Sequence, residues 1–265
     1  MVALTRTVRF AINPDGTTAG TSGFGGIPAM HGLARFYQFS VRCNGEPDPV
    51  TGYLVDIRAV DRAVRSAVVP IIAEAVALEP TIDPAMLMAS LASAMKETEV
   101  GPLLASITWH LSPYYLIEMN LDNTDRVLIR ISVDLAAAHR LHVDDLSPEQ
   151  NRAIFGRCNN PNGHGHNYRV ETAVAVTPGD DCPPLGVAQI EQILDQTIIQ
   201  RFDHKHLNLD TVEFAPGSGC IPSVENMARV FFGLLEPEIA DAHRGASLSS
   251  VTVWETDRTC GTYPG

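Results

Sequence analysis

A short run of strand and helix signals occurs twice in this chain, and that repetition constrains the fold more than any other feature. In the second half, Arg130 to Ala138 alternates with Ile131, Val133, Leu135 and Ala137 on one face, the period-two pattern of a half-buried strand. A polar loop is expected over Asp144 to Gly163, then a second strand from His164 to Val176. Val187, Ile190, Ile193, Leu194, Ile198 and Phe202 recur at helical spacing between Gly186 and Phe202. Ser223 is placed to cap a second helix from Val224 to about Ile239, and Ser250 to Trp254 reads as a strand.

The first half repeats this order. Thr7 to Ile12 and Ala34 to Cys43 are strands, and Ile57, Val60, Val64, Val68 and Ile71 form a helical stripe. Pro84 to Glu97 is a second helix, and Ala105 to Asn120 is strand-rich. Met30-His31-Gly32-Leu33 falls where Gly163-His164-Gly165-His166 falls in the second half, at the end of a glycine-rich loop from Asn13 to Gly32. Both halves are therefore α+β, and the reading is an internal duplication. The expected domains are residues 1–124 and 128–265; two unrelated α+β domains are the alternative.

The chemistry concentrates between His139 and Glu171. His164 and His166 stand two apart on a strand, so both imidazoles leave the same face. His139 ends the preceding strand and reaches the pair if the two strands are neighbours. Three neutral imidazoles leaving one position open make a catalytic rather than a structural metal site. Cys158 is a candidate nucleophile or base, because a nearby cation lowers a thiol pKa. Asp203 beside His204 suits proton relay, although such a pair is commonly only a helix end. Glu225 and Glu255 read singly as a helix-dipole partner and an edge residue.

Other classes are disfavoured. Five scattered cysteines without a C-x-x-C pair argue against a disulfide framework or a thiolate zinc site, and Cys43, Cys182, Cys220 and Cys260 read as inert. A formal net charge of −12 makes nucleic-acid binding an unsuitable role. No apolar run approaches the roughly 20 residues of a membrane span, and the N-terminus lacks a signal-peptide pattern. A cytoplasmic protein is expected.

CNNPNGHGHNY (Cys158 to Tyr168), with AAHRL before it and FDHKHLN and VWETD after it, resembles the 6-pyruvoyltetrahydropterin synthase family, across nearly all of Ile131 to Tyr263. The resemblance implies a T-fold, an antiparallel sheet backed by two helices, present here in tandem and assembling into barrel rings as a homo-oligomer. It implies zinc on His139, His164 and His166, with Cys158 as base and Asp203 and His204 as relay. Glu255 would anchor the pterin ring, with Glu225 also at the pterin pocket. Active sites would lie between subunits, so Cys158 and Asp203-His204 would meet across an interface. The implied reaction converts 7,8-dihydroneopterin triphosphate to 6-pyruvoyltetrahydropterin with loss of triphosphate. Arg140, Arg157 and Lys205 are candidate phosphate contacts.

Val224 departs from the family by removing a hydroxyl before Glu225. The first half departs further: Leu33 stands where His166 would, Pro14 falls near the place of His139, and Leu111 near that of Glu255. It is expected to be a degenerate copy without the zinc site. Alternatives are a 6-carboxytetrahydropterin synthase, a three-histidine hydrolase indifferent to Cys158, and a non-catalytic pterin-binding scaffold.

Overall fold

The computed structural model describes residues 1–178, 184–217 and 220–265. Cys182 lies outside them. The chain divides into two compact units, the first chiefly Met1–Ile129 and the second Arg130–Ala175 with Leu185–Gly265. Among the described residues, no helix is long and apolar enough to cross a membrane.

In the first unit, β1 (Val2–Ile12), β2 (Arg35–Gly45), β3 (Leu104–Ser112) and β4 (Tyr115–Asn120) pair in that order, each antiparallel to the next. Between β2 and β3 come α1 (Ile57–Ala63), α2 (Val69–Leu78) and α3 (Pro84–Lys96). Asp83 caps α3 by accepting from the Ala85 N–H at 2.9 Å. Phe10, Phe39, Ile107 and Ile117 from the sheet meet Val60, Ile72, Met88 and Leu91 from the helices, and all eight are fully buried. The strand-rich stretch at the end of this half is the β3–β4 hairpin.

The second unit has the same order. β5 (Val127–His139), β6 (His164–Val176), β8 (Ala246–Thr256) and β9 (Thr259–Tyr263) lie side by side, with β7 (Lys205–His206) pairing parallel to β5. Strand β9 is the member that the sequence leaves unmarked. The backing helices are α5 (Val187–Leu194), α6 (Gln200–Phe202) and α8 (Val224–Ala242), with α7 (Leu207–Asp210) after β7. Each unit is thus α+β: an antiparallel sheet with helices on its core face.

The long helical run of each unit carries the same irregularity. Val64–Val68 joins α1 to α2, and Asp195–Ile199 joins α5 to α6, both as π turns. The spacing of the buried residues accounts for it. Val60, Val64, Val68 and Ile72 are strictly four apart, as are Ile190, Leu194, Ile198 and Phe202, and all are at most 1% exposed. In a pure α-helix four residues advance about 400°, so such a stripe drifts about 40° per step. The wider π turn advances less per residue and returns the stripe to the core.

Two expectations need correction. The loop over Asp144 to Gly163 contains α4 (Pro148–Phe155), opened by a capping box in which Ser147 and Gln150 exchange side-chain and backbone hydrogen bonds. And Met30-His31-Gly32-Leu33 is not the counterpart of the His164 segment. It lies in the loop before β2, His31 is exposed, and Gly32 turns the chain at φ 56°. Since β2 begins at Arg35 and β6 at His164, the strand-start residues Arg35 and Tyr37 match His164 and His166. Ile12, last in β1, matches His139, last in β5.

Candidate functional site

His139 closes β5, and His164 and His166 open the neighbouring β6, so strand pairing brings together side chains that are 25 residues apart in sequence. One nitrogen of each lies within 4.8 Å of the other two. His139 is fully buried, and its Nδ1–H donates to the Pro222 carbonyl at 2.7 Å, just before the Ser223 cap of α8. A carbonyl can only accept, so this bond leaves the lone pair on Nε2. That nitrogen faces His164 Nε2 at 3.2 Å. Burial holds the His139 pKa down, to about 4, so the ring is neutral near pH 7. Burial also lowers His166, with the nearby Glu255 charge opposing it.

The donor set fits a metal ion. His166 Nε2 is buried with no hydrogen-bond partner, which is costly for a ring nitrogen unless something else meets it. The 3.2 Å separation of His139 and His164 nitrogens matches the edge, about 3.3 Å, of a tetrahedron with metal–nitrogen bonds of about 2.0–2.1 Å. Tyr168, two residues beyond His166 on the same face, is fully buried with its hydroxyl 3.2 Å from His139 Nδ1. Neither Tyr168 nor Pro222 is singled out by the sequence reading. For Tyr168 the i+2 spacing is the available signal; nothing local marks Pro222.

Glu255 lies beside this group, with Oε1 3.4 Å from His166 Nε2 and 3.6 Å from His139 Nε2. Cys158 sits in the short turn Gly156–Asn159 that follows α4. Burial and then the Glu255 charge push its thiol pKa up, the reverse of the expected activation; a cation beside it would act in the opposite direction. Glu225 is exposed in the first turn of α8 and makes no side-chain hydrogen bond or ion pair among the described residues.

Asp203 and His204 do pair, beyond the helix end that such a dipeptide commonly marks. Asp203 Oδ2 accepts from His204 Nδ1 at 2.7 Å, and its Oδ1 accepts from the Ala136 N–H at 2.8 Å. The His204 backbone, at φ 55°, makes this possible, the single non-glycine residue with positive φ among the described residues. The hydrogen bonds hold Asp203 below the usual carboxylate range, against a desolvation contribution that acts the other way. The pair lines a cavity of about 670 Å³ with Asn167, Arg169, Trp254 and Thr256. Alternation puts Asn167 and Arg169 on the opposite face of β6 from His164, His166 and Tyr168. Within one chain the pair and the three histidines therefore occupy opposite faces of the sheet.

Arg140 and Arg157 line a second cavity, of about 780 Å³, that reaches His164. His142 and Arg152 line it too; the sequence reading missed Arg152 because α4 was taken as loop. Lys205 is not among its residues; it lines a separate cavity with His166, His204 and His206.

Comparison with known proteins agrees with this constellation. The profile of 6-pyruvoyl tetrahydropterin synthase matches residues 128–265. The human 6-pyruvoyl tetrahydrobiopterin synthase is 35% identical over 137 residues, covering 50% of this chain and 88% of that protein. The Drosophila melanogaster protein of the same name is 34% identical over 137 residues, covering 49% and 74%. Among solved structures, the Caenorhabditis elegans 6-pyruvoyl tetrahydropterin synthase aligns with a TM-score of 0.47 and 29% identity, over 53% of this chain and 96% of that one. With half its length matched by that profile, and with the three histidines, Cys158 and the Asp203-His204 pair inside the match, the chain belongs to the 6-pyruvoyl tetrahydropterin synthase family.

Proposed function

We propose that the chain is a zinc-dependent lyase that converts 7,8-dihydroneopterin triphosphate to 6-pyruvoyltetrahydropterin with loss of triphosphate. The observation that carries this reading is the convergence of His139, His164 and His166, with His166 Nε2 buried and orphaned, beside Cys158 and Glu255. The three histidines would hold the ion. Zinc bound there supplies a Lewis acid that polarises the oxygens of the substrate side chain and acidifies the bonds beside them.

Cys158 Sγ removes a carbon-bound proton from that side chain. His204, oriented by Asp203, delivers and receives protons at the side-chain oxygens. Glu255 accepts hydrogen bonds from the paired N–H donors of the pterin edge, with Glu225 as a second carboxylate at the ring. Arg140 and Arg157 meet the phosphate oxygens, a role their shared cavity beside His164 favours over one for Lys205.

The Asp203-His204 pair serves a neighbouring copy. Its position on the opposite sheet face from the histidines favours a homo-oligomer whose sites are completed across an interface, in barrel rings of T-folds. The repeated strand order and matching π turns favour a tandem duplication, with residues 1–124 a copy that lost its metal ligands.

The test is turnover of 7,8-dihydroneopterin triphosphate by the zinc-loaded protein, with products resolved by mass spectrometry beside a Cys158→Ala control. A 6-pyruvoyl product that disappears in the control supports the proposal; a 6-carboxy product reassigns the reaction within the family. No turnover from a zinc-loaded oligomer removes the catalytic reading, and a monomer by light scattering removes the shared site.

A further inference from the structure

The cavity beside His164 is lined by Arg140, Arg152 and Arg157, and no carboxylate is among its described lining residues. In a chain of formal net charge −12 this is a local excess of cations, suited to a ligand with several negative charges. Arg152 is already paired, with Glu149 at 3.2 Å, and Arg157 is exposed. Arg140 differs from both. It is half-buried, makes no ion pair among the described residues, and is fixed at both ends.

The backbone end is clamped by Asn208, whose side chain accepts from the Arg140 N–H at 2.7 Å and donates to its carbonyl at 3.1 Å. At the other end, Arg140 Nε donates to the Asn159 carbonyl at 3.3 Å, and Nη2 donates to His142 Nδ1 at 3.2 Å. Both acceptors are uncharged, so the guanidinium is aimed without being neutralised. Nε–H and one Nη2–H lie along the same edge of a guanidinium, and these two bonds occupy that edge. The Nη1–Nη2 edge keeps two parallel donors, the fork that takes two oxygens of a phosphate.

His142 can hold Arg140 in one tautomer only. Asn159 Nδ2 donates to the Leu141 carbonyl at 2.7 Å, which fixes the orientation of the amide. Its second hydrogen goes to His142 Nδ1 at 2.9 Å. Two N–H groups thus meet Nδ1, so that nitrogen carries the lone pair and the ring proton sits on Nε2, 3.5 Å from Asp144 Oδ1. We propose that His142 is a positioning residue, which in this tautomer turns the free edge of Arg140 toward the phosphate chain of the substrate. The proposal rests on the triphosphate substrate of the preceding section, and His142 acts through Arg140 rather than by touching that substrate.

The probe is inorganic triphosphate, titrated calorimetrically into the full-length, metal-free chain at matched ionic strength, so that chelation of zinc does not enter. The wild-type chain is expected to bind it saturably. His142→Phe keeps a ring but removes the acceptor, and about tenfold weaker binding is expected, the scale of one charge-assisted hydrogen bond. His142→Asn puts Oδ1 where Nδ1 stood and should restore most of the binding. A role in packing alone would give the reverse order, with Phe tolerated better than Asn. In an Arg140→Met background, His142→Phe should cost nothing further, because the two residues act as one unit. The titration requires no turnover, so its failure is distinct from failure of the reaction assay. No saturable binding by the wild-type chain, full binding by His142→Phe, or an additive loss in the Arg140→Met background overturns the proposal.

Discussion

Asp203 uses both carboxylate oxygens, one on the imidazole of the next residue, His204, and the other on the backbone of β5 at Ala136. The second bond fixes the carboxylate, so the first fixes the ring. His204 itself is held in a left-handed conformation by its N–H bond to the Ala136 carbonyl at 2.6 Å.

Asp203→Asn should keep the Ala136 bond through the amide oxygen while losing the charge that orients and stabilises His204. Turnover is expected to fall about 10²-fold or more, the usual scale for an acid–base group, with KM and melting temperature little changed. Steady-state kinetics beside a thermal melt checks this. A wild-type rate would show that the pair is structural.

The three histidines should bind metal as a unit. His164→Ala is expected to weaken zinc at least 100-fold, since even outer partners of metal ligands commonly cost 10- to 100-fold. Competition against a chromogenic chelator gives the affinity directly. Retention of stoichiometric metal by this variant after dialysis against chelator would remove His164 from the ligand set.

Tyr168 acts one step out. Its hydroxyl is 3.2 Å from His139 Nδ1, and its ring packs 5.4 Å from that of His166, centroid to centroid. Tyr168→Phe keeps the packing and removes the hydroxyl, so about a tenfold loss of zinc affinity is expected with the fold intact. Tyr168→Ala removes the packing too and is expected to lower the melting temperature as well.

What could be read from the chain, and what could not, follows the range of the forces involved. Strand alternation and four-residue helical spacing are local, so β5, β6, α5 and α8 were legible, and with them His139, His164 and His166. The capping box at Ser147 and Gln150 was equally local and was overlooked within a polar stretch. The counterpart of His164 in the first unit could not be found by matching letters. A glycine-rich loop whose length has changed displaces His31 from the strand, and only the strand ends identify Arg35. The Pro222 carbonyl on His139 spans 83 residues and depends on how α8 meets the sheet.

The Cys158 thiol is raised by burial first and by Glu255 second. Glu255→Gln removes only the second contribution, so the thiol pKa should fall and the thiolate fraction at a given pH should rise. In metal-free protein, alkylation by iodoacetamide near pH 8 should therefore run faster in the variant, with the rate–pH curve moved to lower pH. A shift to higher pH would show that Glu255 does not act on Cys158 by its charge.

Asn151 holds the segment between His139 and Cys158 in place. It is fully buried in α4, and its side chain accepts from the Val143 N–H at 2.9 Å. It also donates to the carbonyls of Val143, Leu146 and Ser147 at 2.9, 3.0 and 3.2 Å. Truncation leaves several buried backbone groups without partners, each worth about 1 kcal/mol or more. Asn151→Ala is expected to destabilise the second unit by about 2–3 kcal/mol. Asn151→Asp keeps the acceptor but loses the donors, and should cost a comparable amount because it buries a charge facing three carbonyls. Chemical denaturation followed by Trp254 fluorescence, in a Trp109→Phe background, isolates the second unit. The loosened segment carries Arg140, His142 and Cys158, so turnover should fall before the unit unfolds. A variant that loses stability with full activity would mean that this loop does not position the site.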